Sequence, residues 1–234
     1  MPQPHIFKYT IGIDEVGRGP IAGPVAVGAF IFLNYASSLS RKLNSKLFRG
    51  VKESKQLTEK KREMWFKKIC ALRHDTDKNK DFDKNSIDFV VTFQSEKVID
   101  NKGLSFAIRK CLETSLSKLI KKYKINSEEV LILLDGGLKA PLEYKNQKTI
   151  IKGDVKEKVI ALASICAKVL RDRRMKKWAK KYPQYGFEIH KGYGTKRHYK
   201  AIKNSGLIHL HRKSFLSHLG RQSPIYIAKN RQIS

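Results

Sequence analysis

The sequence has 234 residues, and its 49 lysines and arginines against 21 aspartates and glutamates give a formal net charge of +28. An excess of that size favours binding to a polyanion such as nucleic acid, a ribosome or an anionic membrane. Hydrophobic residues make up 41% of the chain, which excludes wholesale disorder. The three cysteines are too few and too widely spaced for a disulfide framework or a CxxC metal site, so we expect buried thiols in a reducing compartment.

A membrane protein is not expected. The longest apolar stretch, residues 19–33, is interrupted by prolines and glycines and is too short to cross a bilayer as a helix. The first ten residues contain two prolines and no apolar segment typical of a signal peptide. The sequence therefore predicts a cytoplasmic protein without a membrane partner.

Strand and helix patterns alternate in the first half of the chain. Two β-branched and aromatic runs, 11–16 and 25–33, are joined by a Gly/Pro-rich corner and predict paired strands. A polar loop is predicted over 52–57, after which Thr58 caps a helix with Trp65, Ile69 and Leu72 on one face. A charged loop over 74–86 and a strand over 89–93 follow.

The second half of the chain continues this alternation. An amphipathic helix is predicted over 103–123, a strand buried on both faces over 130–134, a short strand over 149–151 and a long helix over 155–180. Beyond Pro183 we expect a loop rich in glycine, histidine and lysine, a short helix near 195–204 and a basic tail. Strands that alternate with helices predict a layered α/β domain.

Acidic residues are scarce, so their positions are informative. Asp14 and Glu15 end the first predicted strand, Asp135 ends the buried strand, and Asp172 lies at the core-facing edge of the long helix. Carboxylates at strand ends suit Mg²⁺ or Mn²⁺, and two such ions can promote phosphodiester cleavage. One strand-end aspartate alone is more often a turn or cap residue. Because adjacent residues of a regular strand face opposite sides, Asp14 and Glu15 are expected to share a site only if the backbone distorts.

A glycine pair follows the first two acids. Gly17 and Gly19 flank Arg18, and bare N–H groups in such a loop can bind phosphate or hydroxyl oxygens. The spacing does not fit GxGxxG, no GKS or GKT follows, and the next element is predicted to be a strand, which excludes a nucleotide-binding loop of either kind. An isolated glycine pair is more often a plain turn.

Two other clusters only partly match metal-binding patterns. The first resembles the start of an EF-hand, but Lys80 replaces the required glycine and Ser86 the bidentate glutamate, so we predict a solvated loop; its members are Asp75, Asp77 and Asn79. The second has no zinc-site spacing and no nearby cysteine. Phosphate contacts or plain surface packing are predicted for its members, His190, His198, His209 and His211.

Taken together, nine short motifs resemble the ribonuclease HII family. In chain order they are DEVGRGP (14–20), AGPV (22–25), SKQLT (54–58), DG (135–136), KGD (152–154), ASICAKVLRD (163–172), YGF (185–187), HKGYGT (190–195) and HRKSF (211–215). Each motif alone is weak, but their common order over nearly the whole chain is highly specific. The related ribonuclease HIII carries a long N-terminal extension, so the resemblance favours type HII. Glu53 and Gly137 depart from the family pattern and affect only expected loop details.

The resemblance implies a fold and a set of site residues. The fold is RNase H-like, with a mixed central β-sheet flanked by helices and a helical C-terminal part over about 183–220. A single catalytic domain would cover 1–220, followed by a basic tail over 221–234. The implied metal ligands are Asp14, Glu15, Asp135 and Asp172. The implied substrate-binding residues are Gly17, Arg18 and Gly19 at the ribose 2′-hydroxyl, Tyr193 at the RNA–DNA junction, and Ser54, Lys55 and Lys168, the lysines at phosphates.

The implied activity is metal-dependent endonucleolytic cleavage of RNA in RNA–DNA hybrids. It includes cutting 5′ of single ribonucleotides in duplex DNA, as in replication and repair, and leaves 3′-hydroxyl and 5′-phosphate ends. The expected cofactor is magnesium or manganese, with two ions during catalysis, and the expected state is a monomer. The alternative is a non-catalytic basic module that binds nucleic acid or a ribosome. Four carboxylates in an acid-poor chain favour the enzyme, because without metal they repel a polyanion.

Overall fold

A five-stranded mixed β-sheet forms the centre of the fold. The computed structural model describes residues 7–33, 57–78 and 87–219. The strand order is β3-β2-β1-β4-β5, with β2 antiparallel to β1 and β3, and β4 parallel to β1 and β5. The strands are β1 (Tyr9–Val16), β2 (Val25–Leu33), β3 (Ile87–Gln94), β4 (Val130–Asp135) and β5 (Gln147–Ile150). The predicted mixed sheet and the predicted β1–β2 pair are confirmed.

Helices cover both faces of this sheet. They are α1 (Glu59–Lys78), α2 (Glu96–Lys102), α3 (Leu104–Tyr123), α4 (Gly153–Lys156), α5 (Lys158–Lys181), α6 (Phe187–His190) and α7 (Lys196–Ser205). Helix α3 packs against β2 and β3 on one face, while α1 and α5 pack on the other, so the predicted layered α/β architecture is confirmed. Within the described ranges, no helix combines the length and the apolar character needed to cross a membrane.

Helix α5 lies directly on the backbone of the two central strands. A Cβ atom on Gly12 would come within 2.4 Å of the Val159 carbonyl carbon, and one on Gly28 within 2.4 Å of the Ala163 carbonyl oxygen. Glycine at both positions therefore allows the helix to approach more closely than any larger residue would permit. This contact holds the first turns of α5 beside the C-terminal end of β1, where Asp14 lies.

The predicted long helix over 155–180 is wrong at its start. Glu157 is extended (φ −117°, ψ 116°) and separates the single turn of α4 from α5. Lys152 precedes α4 in the left-handed region, at φ 57°. Apolar periodicity cannot detect a one-residue interruption, because the residues after it resume the same spacing. The consequence is that Gly153 and Asp154 belong to a separate turn beside the end of β4.

Other boundaries also differ from the prediction. Helix α1 continues to Lys78, so the loop predicted from residue 74 is wrong over 74–78. A charged sequence without an apolar stripe does not by itself end a helix. The short helices α2 and α6 were not predicted, since two turns or fewer give no clear period. The polar loop over 52–56 and residues 79–86 lie outside the described residues, as does the tail over 221–234.

Three histidines are buried in the core of the helical C-terminal part, which corrects their prediction as surface or phosphate-contacting residues. His190, His198 and His211 are buried, and only His209 of the four is exposed. The Ile208 amide donates to His211 Nδ1 at 3.0 Å, and the two Nε2 atoms of His211 and His198 lie 3.2 Å apart. His198 Nδ1 lies 2.9 Å from the Tyr193 carbonyl oxygen.

These contacts define one consistent set of neutral tautomers. A carbonyl oxygen only accepts, so His198 carries its proton on Nδ1 and accepts at Nε2 from His211. His211 Nδ1 is then free of a proton and accepts from the Ile208 amide. Burial is the main cause that lowers the pKa of His198 to about 4 and that of His211 to about 3. The chain of neutral rings therefore ends on the backbone of Tyr193.

We predict that this cluster makes the fold acid-sensitive. Because the folded-state pKa values lie below the ordinary 6.5, the unfolded chain takes up protons first, and stability falls as pH decreases below about 6.5. Each of the two histidines should cost ~2 kcal/mol at pH 5. Urea unfolding at pH 5, 6, 7 and 8 measures this slope.

The matched variants are His211→Gln and, at the exposed position, His209→Gln. Loss of the buried ring should flatten the pH dependence by roughly half, whereas the surface variant should retain the wild-type slope. An unchanged slope in His211→Gln would show that the buried rings do not determine acid stability.

Candidate active site

A cleft of about 360 Å³ opens at the C-terminal ends of β1 and β4. Parallel neighbours end at the same edge of a sheet, so their terminal acidic residues are brought together there. Carboxylates, cations and a glycine loop line the cleft, from residues Asp14, Glu15, Val16, Gly17, Arg18, Gly19, Arg62, Asp135, Ser164, Lys168 and Tyr193. The polar character of this lining suits a charged substrate.

Asp14 and Glu15 both reach the cleft without a distorted backbone, contrary to the prediction. The ladder between β1 and β2 is uninterrupted, with Asp14 opposite Gly28 and Glu15 opposite Val27. The pairing of β1 with β4 ends earlier, at Ile13. The two acids thus lie beyond the last β4 contact, where the edge of β1 is open and side chains from either face can reach the same space.

The Asp14 carboxylate is buried among other acids. Its Oδ1 accepts from the Glu15 amide at 2.8 Å, while its Oδ2 is buried without a hydrogen-bond partner among the described residues. Burial raises the pKa of Asp14 well above its ordinary value, a side-chain hydrogen bond from Ser164 opposes the rise, and repulsion by Glu15, Asp135 and Asp154 adds to it. The site is therefore built at an electrostatic cost.

Glu15 is in a similar but less extreme environment. Burial again raises its pKa, and repulsion by Asp135 contributes, whereas the hydrogen bond and charge of Arg18 lower it. Glu15 Oε1 accepts from Arg18 at 2.8 Å, and its other oxygen, Oε2, is buried with no partner in the described part of the chain. One oxygen of each of these two neighbouring carboxylates is thus available to a ligand.

Asp154 joins this acidic cluster, and sequence reasoning missed it. It lies in the first turn of α4, is buried and raises the pKa of Asp14. The Gly153 amide donates to Asp135 Oδ1 at 2.6 Å, which fixes the start of α4 to the end of β4. The sequence did contain a clue, because Asp154 is an acidic residue of the KGD motif in a chain with few acids. It was overlooked because the long helix was predicted to start at residue 155, which left Asp154 in a loop without an assigned role.

Asp172, expected as the fourth metal ligand, is not among the acidic residues that raise the pKa of Asp14, whereas Asp154 is. Its Oδ1 accepts from Lys168 Nζ at 2.9 Å, one turn earlier on α5. Neither Asp172 nor Asp154 is among the residues that line the cleft itself. The helical periodicity correctly placed it on the buried side, since it is only 5% exposed. Its contact is with a cation, Lys168, which does line the cleft.

Two cations face the cleft opposite the acids. Lys168 lies there as predicted from the resemblance, and burial lowers its pKa while the nearby Asp172 opposes that change. Arg62, on α1, also lines the cleft and was not predicted. Both positions suit contacts with phosphate oxygens, and the phosphate role of Lys168 stays a prediction. Ser54 and Lys55 lie outside the described residues.

The glycine loop and Tyr193 form the remaining wall. Gly17 has φ +92°, a conformation that favours glycine, and Gly19 lies near the aromatic ring, since a Cβ there would be 3.6 Å from Tyr193 Cε1. Tyr193 is 44% exposed although it is aromatic. The structure thus brings Gly17, Arg18, Gly19 and Tyr193 to the same cleft, while their binding roles stay predictions.

The acidic side chains fit a divalent cation. Buried carboxylate oxygens without partners, surrounded by further carboxylates, are typical ligands of Mg²⁺ and Mn²⁺. Across residues 7–33, 57–78 and 87–219, no three acidic, histidine or cysteine side chains already enclose a common point as a finished ligand shell. A bound ion would therefore have to draw its ligands inward, and it would relieve the repulsion that raises the pKa of Asp14.

We predict that Asp14→Asn stabilises the metal-free protein. The folded state raises the pKa of Asp14, so stability is lost as pH increases from the ordinary value toward the folded value, and asparagine removes that loss. In EDTA at pH 7.5, Tm should rise by about 2–4 °C for each kcal/mol recovered. Glu113→Gln, at an exposed position, is the control and should leave Tm unchanged. A lower Tm for Asp14→Asn would contradict the electrostatic cost of this site.

Known proteins are similar to this chain in sequence and in fold. The family model described as Ribonuclease HII matches residues 11–218. Ribonuclease HII of Fusobacterium nucleatum is 41% identical over 90% of this chain and 86% of its own length. Ribonuclease HII of Prochlorococcus marinus subsp. pastoris is 43% identical over 89% and 88%. The crystal structure of ribonuclease H2 from Pyrococcus horikoshii OT3 has a TM-score of 0.64 at 23% identity, over 88% of this chain and 93% of that one. The chain therefore belongs to the ribonuclease HII family of RNase H endonucleases.

Proposed function

We propose that this endonuclease uses divalent metal to cut RNA paired with DNA, including 5′ of a single ribonucleotide within duplex DNA. The observation that carries the proposal is the position of the acidic cluster directly beside the Gly17–Gly19 loop. One element can bind metal and the other can bind a sugar hydroxyl, so a phosphodiester next to a ribose fits both at once. The proposed products are a 3′-hydroxyl and a 5′-phosphate.

The proposed metal ligands are Asp14, Glu15, Asp135 and Asp154. Magnesium or manganese bound there, as one ion or two, would supply a Lewis acid that activates water and stabilises the charge on the leaving oxygen. The chain's own contribution is to hold the carboxylates in place, through the Ser164 hydroxyl at Asp14 and the Gly153 amide at Asp135. Lys168 and Arg62 would bind the phosphate on the opposite side of the cleft.

RNA is distinguished from DNA by its 2′-hydroxyl, so the proposal requires a group that recognises it. No described atom accepts a hydrogen bond from the amides of Gly17, Arg18 or Gly19, which leaves them available as donors. The exposed ring of Tyr193 lies beside this loop and can stack on the adjoining sugar. These features support recognition of one ribonucleotide, since all of them lie within a single cleft.

The binding-module alternative accounts for the charge but not for the acids. A net charge of +28 suits any nucleic acid partner. A module that only binds a polyanion would be weakened by four carboxylates that repel it, three of them buried and Glu15 half-buried, and by the stability they cost. The named relatives over about nine-tenths of the chain are ribonucleases HII, which supports the enzyme.

The decisive experiment is cleavage of a duplex that contains one ribonucleotide, with and without Mg²⁺ or Mn²⁺. We predict that Asp154→Asn reduces kcat at least a thousandfold, about 4 kcal/mol in barrier, because it removes a metal ligand at nearly constant volume. Asp172→Asn is the matched control on α5. It should retain wild-type affinity for Mn²⁺ in calorimetry and lose less than tenfold in kcat.

The two variants separate the two possible sets of ligands. Wild-type affinity for Mn²⁺ in Asp154→Asn, with lost affinity in Asp172→Asn, would restore Asp172 as the fourth ligand. No cleavage by the wild-type protein in either metal would refute the proposed function itself.

We predict that Tyr193→Ala affects a single embedded ribonucleotide more than a long hybrid. A long hybrid offers many registers and further contacts, whereas one ribonucleotide depends on its positioning, which can be worth about a hundredfold. Rates on both substrates, with a melting curve, measure the difference. Equal losses on both substrates would assign Tyr193 a structural role.

A further inference from the structure

Arg212 binds the glycine loop from its buried side. This side chain is fully buried, and its guanidinium donates three hydrogen bonds to main-chain carbonyl oxygens. Nη2 donates to Gly17 at 2.7 Å, Nη1 to Arg18 at 2.9 Å, and Nε to Gly23 at 2.9 Å. A planar fork of donors is suited to hold several acceptors at fixed angles. Arg212 therefore fixes the orientation of two successive peptide groups in the loop.

Fixing a carbonyl also fixes the next amide. A trans peptide is planar, and its C=O and N–H point in opposite directions. None of the described peptide bonds is cis. The carbonyls of Gly17 and Arg18 point inward to Arg212, so the N–H groups of Arg18 and Gly19 must point away from it. Both residues line the cleft, so that direction faces the proposed ribose.

A second buried arginine supports the same corner. Arg171 Nε donates to the Pro24 carbonyl at 2.9 Å, and Nη1 donates to the Lys191 carbonyl at 3.1 Å. A Cβ on Gly17 would lie 2.3 Å from Arg171 Nε, so the guanidinium occupies the space that any side chain at position 17 would need. The glycine and the arginine are thus matched to each other, and Arg171 links the loop to the segment that carries Tyr193.

This arrangement is electrostatically expensive for a structural corner. Arg171 and Arg212 are both fully buried and repel each other; Asp172 lies near Arg171, Asp100 near Arg212, and Glu96 near both. Apolar residues of similar volume often replace buried charges without loss of stability. Apolar packing cannot orient peptide groups, whereas hydrogen bonds to carbonyl oxygens can. This function explains why two charged side chains are buried at the corner.

We propose that Arg212 is a positioning residue for ribose recognition: by holding the Gly17 and Arg18 carbonyls, it directs the Arg18 and Gly19 amides toward the 2′-hydroxyl. The inference rests on the proposed function, since it assigns the origin of its selectivity for RNA. It adds a residue from the C-terminal segment to a loop near the N-terminus. Arg212 does not touch the substrate and acts through the loop.

The test is Arg212→Lys in the full chain. A single ammonium cannot bridge three carbonyls, so the loop should lose its fixed orientation. We expect kcat at a single embedded ribonucleotide to fall about a hundredfold. KM for the duplex should change less than threefold, because the phosphate contacts remain. Affinity for Mn²⁺ should be unchanged, and hydrogen exchange at the amides of residues 17–19 should accelerate.

Arg73→Lys is the matched control, because Arg73 pairs with the buried Asp88 on β3, away from the glycine loop. It should lower Tm without affecting kcat or exchange in the loop. If the Arg212→Lys protein does not fold, the same measurements are made on Arg212→Met. The methionine side chain is apolar, so it can be buried without a counter-charge.

The outcomes distinguish a failure of the proposed function from a failure of the role assigned to Arg212. A wild-type protein that does not cut the ribonucleotide-containing duplex refutes the proposed function and this inference with it. An active wild type with a folded Arg212 variant of equal kcat and equal loop exchange overturns this inference alone. An equal loss of kcat in Arg73→Lys would also overturn it, because the effect would then follow stability rather than the loop.

Discussion

The rest of the site depends on the cost of burying carboxylates together at the ends of β1 and β4, which comes first from lost hydration and then from mutual repulsion. Asp14 is surrounded by Glu15, Asp135 and Asp154, and burial keeps water from screening their charges. The free energy that this arrangement costs must come from elsewhere in the fold. The source is the sheet, whose central strands are buried under helices on both faces. A well-packed scaffold thus keeps a destabilised site preorganised for cations.

Buried polar side chains, rather than apolar packing, shape the wall opposite the acids. The Arg212 guanidinium holds two carbonyls of the glycine loop, and the Arg171 guanidinium holds those of Pro24 and Lys191. A chain of neutral imidazoles holds the carbonyl of Tyr193. Both systems bind the main chain, so they control the directions of peptide groups and not merely their distances. Recognition of a small hydroxyl requires such directional control, because a hydrogen bond weakens steeply with angle.

Most of the fold could be predicted from the sequence, because apolar periodicity reflects burial directly. The β1–β2 pair, α3 and β4 follow from their patterns. The break at Glu157 could not, since one extended residue leaves the period intact, and it was this break that concealed Asp154. For Asp172, the helical periodicity correctly indicates burial, but periodicity cannot show which residues lie next to a buried side chain. The histidines were misplaced because their burial depends on mutual hydrogen bonds, which spacing does not show.

The hydrogen bonds from Arg212 to the glycine loop can form only late in biosynthesis. Arg212 and Gly17 are separated by 195 positions, and the backbone of residues 210–212 pairs with residues 21–23 at the same corner. Contacts between such distant residues close a loop of nearly the whole chain and are among the slowest to form. A growing polypeptide on the ribosome contains the strands that carry the acidic residues early. The contacts of Arg212 with the glycine loop cannot form until residue 212 has emerged. The proposed recognition of ribose therefore cannot be established before residue 212 has left the ribosome.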